Sequence, residues 1–144
     1  MKSPKDIFHL VSYAQYAFIF GAVYFLYPYI MSAAEGNLDW SSLNKMFIFM
    51  GIGISLSTLQ DTSKTQNEAS RKIWEDPKKG KIFLITLSIA TLVLILIGLF
   101  SLFRLSSIIP EDISLGLIVL GIGLVGMLKA AGEMFENHRK DKNP

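Results

Sequence analysis

Hydrophobic residues along this chain gather into four long blocks, Ile7–Met31, Leu43–Leu59, Ile82–Phe103 and Ile113–Leu128, separated by short polar segments. The third block, IFLITLSIATLVLILIGLFSLF, carries no charge and shows no polar face at helical spacing. A helix of about 20 mostly apolar residues crosses the hydrocarbon core of a bilayer. The pattern therefore predicts an all-α, polytopic membrane protein with four transmembrane helices, over about residues 7–31, 43–60, 82–103 and 112–134. The fourth reaches spanning length with Lys129 snorkelling at its end. Together they make one membrane-embedded domain over residues 1–144, with a small four-helix bundle as its expected form.

Residues 57–72, STLQDTSKTQNEASRK, are polar yet lack a helix breaker before Pro77. One straight helix from Leu43 to Glu75 would project about 22 Å past the membrane. The six residues that remain before the third span cover at most about 22 Å fully extended, which leaves no sideways reach. A break near Asp61–Ser63 follows, then a short cytoplasmic amphipathic helix within a connector over 61–81. Thr65 and Glu68 suit a capping box, and Arg71 with Glu75 an ion pair one helical turn apart. The apolar face beside Trp74 is thin, so it suits packing on protein better than deep burial in lipid. Asp76 and Pro77 read as the cap and first residue of the next helix, and Asp39, Ser41 or Ser42 as the cap of the second.

Charge sets the expected orientation. Lys2 and Lys5, then Lys64, Arg71, Lys72, Lys78, Lys79 and Lys81, then Lys129, Arg139, Lys140 and Lys142 all fall on one side of the predicted spans. The other side has Lys45 and Arg104, with Glu35, Asp39, Glu111 and Asp112. Short loops rich in Lys and Arg stay cytoplasmic, so a plasma (inner) membrane protein with both termini in the cytoplasm is expected. Cleavage after Ala34 as a signal peptide is the rival for the first span. Its apolar stretch exceeds the roughly 7–15 residues of a signal core and holds all five tyrosines, so it is expected to stay as a span.

Composition narrows the chemistry. The chain has no cysteine, and His9 and His138 stand at opposite ends, which leaves little material for a metal site. A net charge of +2 in 144 residues gives no electrostatic footprint for nucleic acid. GIGLVG, Gly121–Gly126, matches a dinucleotide fingerprint, but that motif needs a strand before it and a helix after it. Inside a span it reads as helix packing, and no cofactor is expected. No Asp, Glu, Lys, Arg or His lies near the middle of any span, which argues against a proton relay or an ion-coupled carrier. An enzyme is the least supported class.

Small residues point to close helix contacts, with Gly51 and Gly53 in span two and Gly116, Gly121, Gly123 and Gly126 in span four as candidates. Gln15, Ser55 and Thr58 are the candidate polar groups within the membrane, Gln15 being expected to bond to another helix. Tyr13, Tyr16, Phe20, Tyr24, Tyr27 and Met31 form one stripe on a helix, read as interfacial anchoring or as a packing seam. GIG followed by Arg-Lys recurs in both halves, by parallel duplication or by shared packing demands. The function expected is a structural or accessory subunit that packs with partners or itself through glycine-rich faces. The alternative is a small oligomeric channel or carrier for a small neutral solute, walled by Gln15, Ser55, Ser57, Thr58, Thr86, Ser88 and Thr91. Besides the lipid bilayer, a second copy or another membrane protein is the expected partner.

Overall fold

The computed structural model describes residues 4–63, 68–103 and 110–142, with side chains from residue 7 onward. Lys2, Lys64, Thr65 of the expected capping box and Arg104 lie outside the described residues. Those described form helices and turns, in the order α1 (Pro4–Ser12), α2 (Gln15–Ala34), α3 (Trp40–Ser57), α4 (Glu68–Glu75), α5 (Pro77–Leu102), a 3-10 turn (Glu111–Ile113) and α6 (Ser114–His138).

Among the described residues, three segments are long and apolar enough to cross a membrane: Ile7–Ala34, Pro77–Leu102 and Glu111–His138. The second expected span, α3, falls short of them. Its 18 residues reach only about 27 Å, and its first two turns hold Ser41, Ser42, Asn44 and Lys45.

The first expected span is two helices rather than one. Tyr13 and Ala14 donate to carbonyls three residues back, and so do Tyr16 and Ala17. The backbone tightens there into 3-10 geometry without a glycine or proline. Ser12, fully buried, donates its hydroxyl to the His9 carbonyl at 2.7 Å, a local bond that competes with the regular helix ladder. Pro28 sits inside α2 without ending it. That helix stops at Gly36, whose φ of +81° suits a residue without Cβ. Asn37 N–H closes the end on the Ser32 carbonyl at 2.9 Å.

Caps fix the other starts. Asp39 accepts from Ser42 N–H at 3.0 Å and begins α3. Asp76 accepts from Lys78 and Lys79 N–H at 2.9 and 3.2 Å, with Pro77 following, and begins α5 five residues ahead of Ile82. At the far end Ser101 Oγ donates to the Pro110 carbonyl at 2.8 Å, which brings the start of the 3-10 turn back onto α5.

The long helices of the bundle are arranged as a row. α2 packs on α3, α3 on α6, and α6 on α5, while α2 and α5 stand at the two edges without packing on each other. α3 and α6 are parallel at the centre. Asn44 meets Gly116, Gly51 meets Val119 and Gly123, and Thr58 meets Gly126, so the seam repeats at heptad spacing.

Candidate functional site

Glycine permits the central seam. A Cβ on Gly51 would lie 2.5 Å from the Val119 carbonyl oxygen, and one on Gly116 2.5 Å from that of Asn44. A Cβ on Gly123 would strike the Gly51 backbone, 3.0 Å from both its Cα and carbonyl carbon. Backbone cannot rotate away as a side chain does, so these helices sit as near as they do only because the Cβ is missing. Asn44 adds a polar tie across the seam, Oδ1 accepting from Gly116 N–H at 2.6 Å. It replaces a bond that Gly116, next to the helix start, cannot make within its own helix.

Two of the other candidate glycines face elsewhere. Gly53 turns to α2, where Phe18 and Ile19 side chains would stand 3.4 Å from a Cβ, and Gly121 turns to Ile95 on α5. Gly126 is loose, its nearest neighbour being Thr58 at 3.4 Å. Three close contacts lie outside the expected set: Gly21 under Phe49, Gly98 against Ile118 and Gly80 under Phe135.

At the end of the row that holds α4, the helices differ in length. α3 stops at Ser57, whereas α6 runs on to His138 and the first span enters at Pro4. The space beneath the C-terminus of α3 is a cavity of about 630 Å3. Tyr13, Gln15 and Tyr16 form one wall, Ser57, Thr58 and Gln60 the roof, and Trp74, Met127, Ala130 and Met134 the far side.

Gln15 corrects an expectation. It is only 6 % exposed and lines the cavity, but it bonds to no other helix among the described residues. Thr58 also lines the cavity, its hydroxyl donating to the Ser55 carbonyl at 2.7 Å. Ser55 lies one turn deeper and donates to the Gly51 carbonyl at 2.9 Å. The rest of the supposed polar wall does not converge with these. Ser57 joins the cavity, whereas Thr86 and Ser88 sit exposed on α5 and Thr91 bonds to its own Leu87 carbonyl at 2.7 Å.

α4 closes this end by packing on protein. Trp74, 6 % exposed, clusters with buried Ala131 and Phe135 of α6. It meets Phe83 edge-on at 5.2 Å and donates its indole N–H to Ser70 Oγ at 2.8 Å. The chain after α6 folds back over α4. Lys140 N–H donates to the Glu75 carbonyl at 3.2 Å and its ammonium reaches the Glu75 carboxylate at 2.7 Å. That bond to Lys140, with the positive charges of Lys140 and Arg71 nearby, lowers the Glu75 pKa. Spacing along the chain offers Glu136 either Arg139 or Lys140; it pairs with Arg139 at 3.0 Å and also with Lys142 at 2.7 Å. Lys129 meets Glu133 at 3.8 Å, as i,i+4 spacing allows.

No known protein family, curated protein or solved structure matches this chain.

Proposed function

We propose that this chain is a four-span protein of the plasma (inner) membrane, with both termini and α4 in the cytoplasm. In this reading it is a non-enzymatic structural or accessory subunit that associates with partner helices, or with a second copy, along the α2 edge of its row. What supports four spans is the position of α3. It is held between α2 and α6 over its length, from Lys45 beside Phe25 to Thr58 beside Gly126, so it shares the depth of neighbours apolar enough to cross. A helix covered on both sides needs less apolar surface than one facing lipid. Its polar start sits at the outer interface, where Lys45 can snorkel. The excess of Lys and Arg around α4 and at both termini supports the orientation.

One observation carries the subunit reading. Tyr24 lies midway along α2, about 14 Å from either end, with 72 % of its surface exposed. Its hydroxyl has no hydrogen-bond partner among the described residues. A hydroxyl left unbonded in hydrocarbon costs about 2–7 kcal/mol, depending on the reference state, and a partner helix removes that cost. Phe20 and Tyr27, 74 % and 67 % exposed, extend the same edge. Gly51, Gly116, Gly121 and Gly123 are occupied inside the chain, so the aromatic edge replaces them as the docking face.

The test is association in mild detergent or lipid nanodiscs, with Tyr24→Phe as the probe. An interhelical hydrogen bond averages about 0.6 kcal/mol, so losing it should weaken the complex about threefold. A wild-type chain that stays monomeric and partner-free, or Tyr24→Phe association equal to or tighter than wild type, contradicts the reading. The cavity beside Gln15 supports a second reading, an oligomeric channel or carrier for a small neutral solute. Because the α3–α6 seam is closed at Gly51 and Gly123, its path would run between copies, and flux in liposomes tests it.

A further inference from the structure

The geometry points to the cavity beneath α3 as a binding site for a small, uncharged ring compound that carries a hydrogen-bond donor, such as an amide or a hydroxyl. Its volume, about 630 Å3, is that of a small-molecule pocket. Its walls mix polar and apolar surface: Tyr13, Tyr16 and Trp74 supply rings, and Met127 and Met134 adapt to irregular shapes. No Asp, Glu, Lys or Arg lines it, though the His9 ring does, so a cationic guest would be desolvated without a counter-ion.

The polar groups define the donor. Ser57 Oγ spends its hydrogen on the Ile54 carbonyl at 2.6 Å, and Thr58 Oγ1 on that of Ser55 at 2.7 Å. Both hydroxyls therefore offer the cavity only lone pairs. The nearby carbonyls of Ser55, Leu56 and Ser57 accept from Thr58, Leu59 and Gln60 N–H, which blunts the negative end of α3 and with it the attraction for a cation. Gln15 is the odd group: more than nine-tenths buried, lining the cavity, and unbonded to any described residue. A carboxamide has a donor and an acceptor side, and a guest with one of each satisfies it. A ligand bearing only acceptors would leave the Ser57 and Thr58 lone pairs and the Gln15 oxygen without a donor.

This site stands apart from association at the α2 edge, and a Tyr24→Phe chain should bind as wild type does. The test uses Trp74 as reporter. The chain has two tryptophans, so Trp40→Phe leaves Trp74 alone in the cavity wall. para-Bromobenzamide, a neutral ring with donor and acceptor whose bromine quenches indole fluorescence, should quench Trp74 saturably in nanodiscs. Its N,N-dimethyl derivative, without a donor, and para-bromobenzylammonium should bind more weakly. Gln15→Met, close in shape but apolar, should weaken binding of the amide about fivefold, the usual worth of one hydrogen bond. Ala130→Phe, which fills the cavity and keeps Gln15, should abolish saturation and decides the matter if Gln15→Met does not fold. Quenching that is linear in probe, equal in the Gln15→Met or Ala130→Phe chain, or stronger for the ammonium probe overturns the assignment.

Discussion

Gly123→Ala is expected to destabilise the protein by about 3 kcal/mol, the upper end of the range for overpacking a filled interior. The new methyl would meet backbone, with the Cα and carbonyl carbon of Gly51 3.0 Å away. The only relief is separation of α3 from α6, which also stretches the Asn44–Gly116 bond. Gly51→Ala faces the Val119 carbonyl in the same way and should cost nearly as much. Gly121→Ala should cost less, because its first neighbour is the Ile95 side chain. Gly126→Ala meets only Thr58 at 3.4 Å, and Gly132→Ala meets nothing within 4 Å. Both should be near neutral, or stabilising by up to about 1 kcal/mol through helix propensity. Unfolding in mixed micelles at increasing SDS, read by circular dichroism, gives the ranking. Equal losses at Gly123 and Gly132 would mean that the seam does not hold the row together.

Trp74→Ala should release α4. Removing a buried tryptophan costs about 3–5 kcal/mol, and here the loss falls on a helix of eight residues. Isolated helices shorter than about 12–15 residues are marginal in water, so α4 depends on its contacts with Ala131, Phe135 and Phe83. The remaining Lys140–Glu75 bonds are partly exposed and hold less. Trypsin cleavage after Arg71 and Lys72 should accelerate on the order of a hundredfold, because proteolysis follows the population of the opened segment. Trp40→Ala, at the other end of the row, should leave that rate unchanged. Glu75→Gln should raise it by a smaller factor.

The sequence was most informative where local chemistry decides. The charge-free Ile82–Phe103 block, the Asp39 and Asp76 caps and the polar connector each rest on a handful of neighbouring residues, and α5, the two helix starts and α4 follow them. The break after Ser12 had no such signal, since no glycine or proline marks it. The order of helices in the row was not legible either. It depends on which glycine meets which backbone, and Gly121 and Gly123, two residues apart, face different helices. One feature of the sequence does bear on it: Asn44, Gly51 and Thr58 stand at heptad spacing, as do Gly116 and Gly123. The parallel pairing of α3 with α6, flanked by α2 and α5, is also what two similar hairpins would give about an axis along the membrane normal. The cavity arises from a length difference, α3 stopping before α6 does, which no local motif encodes. Gln15 reads from the sequence as a polar residue inside the membrane, but that it has no partner among the described residues depends on how the helices pack.

The claim on which the account turns is that α3 crosses the bilayer with its neighbours. The absence of cysteine makes single-cysteine labelling with a membrane-impermeant maleimide a clean assay in intact cells. Four spans with cytoplasmic ends require Asn37→Cys and Asp112→Cys to label from outside, and Ser63→Cys and Asp141→Cys to label only after permeabilisation. If α3 does not cross, Ser63→Cys joins Asn37→Cys outside, Asp112→Cys is protected and Asp141→Cys is exposed, a reversal that would contradict the account.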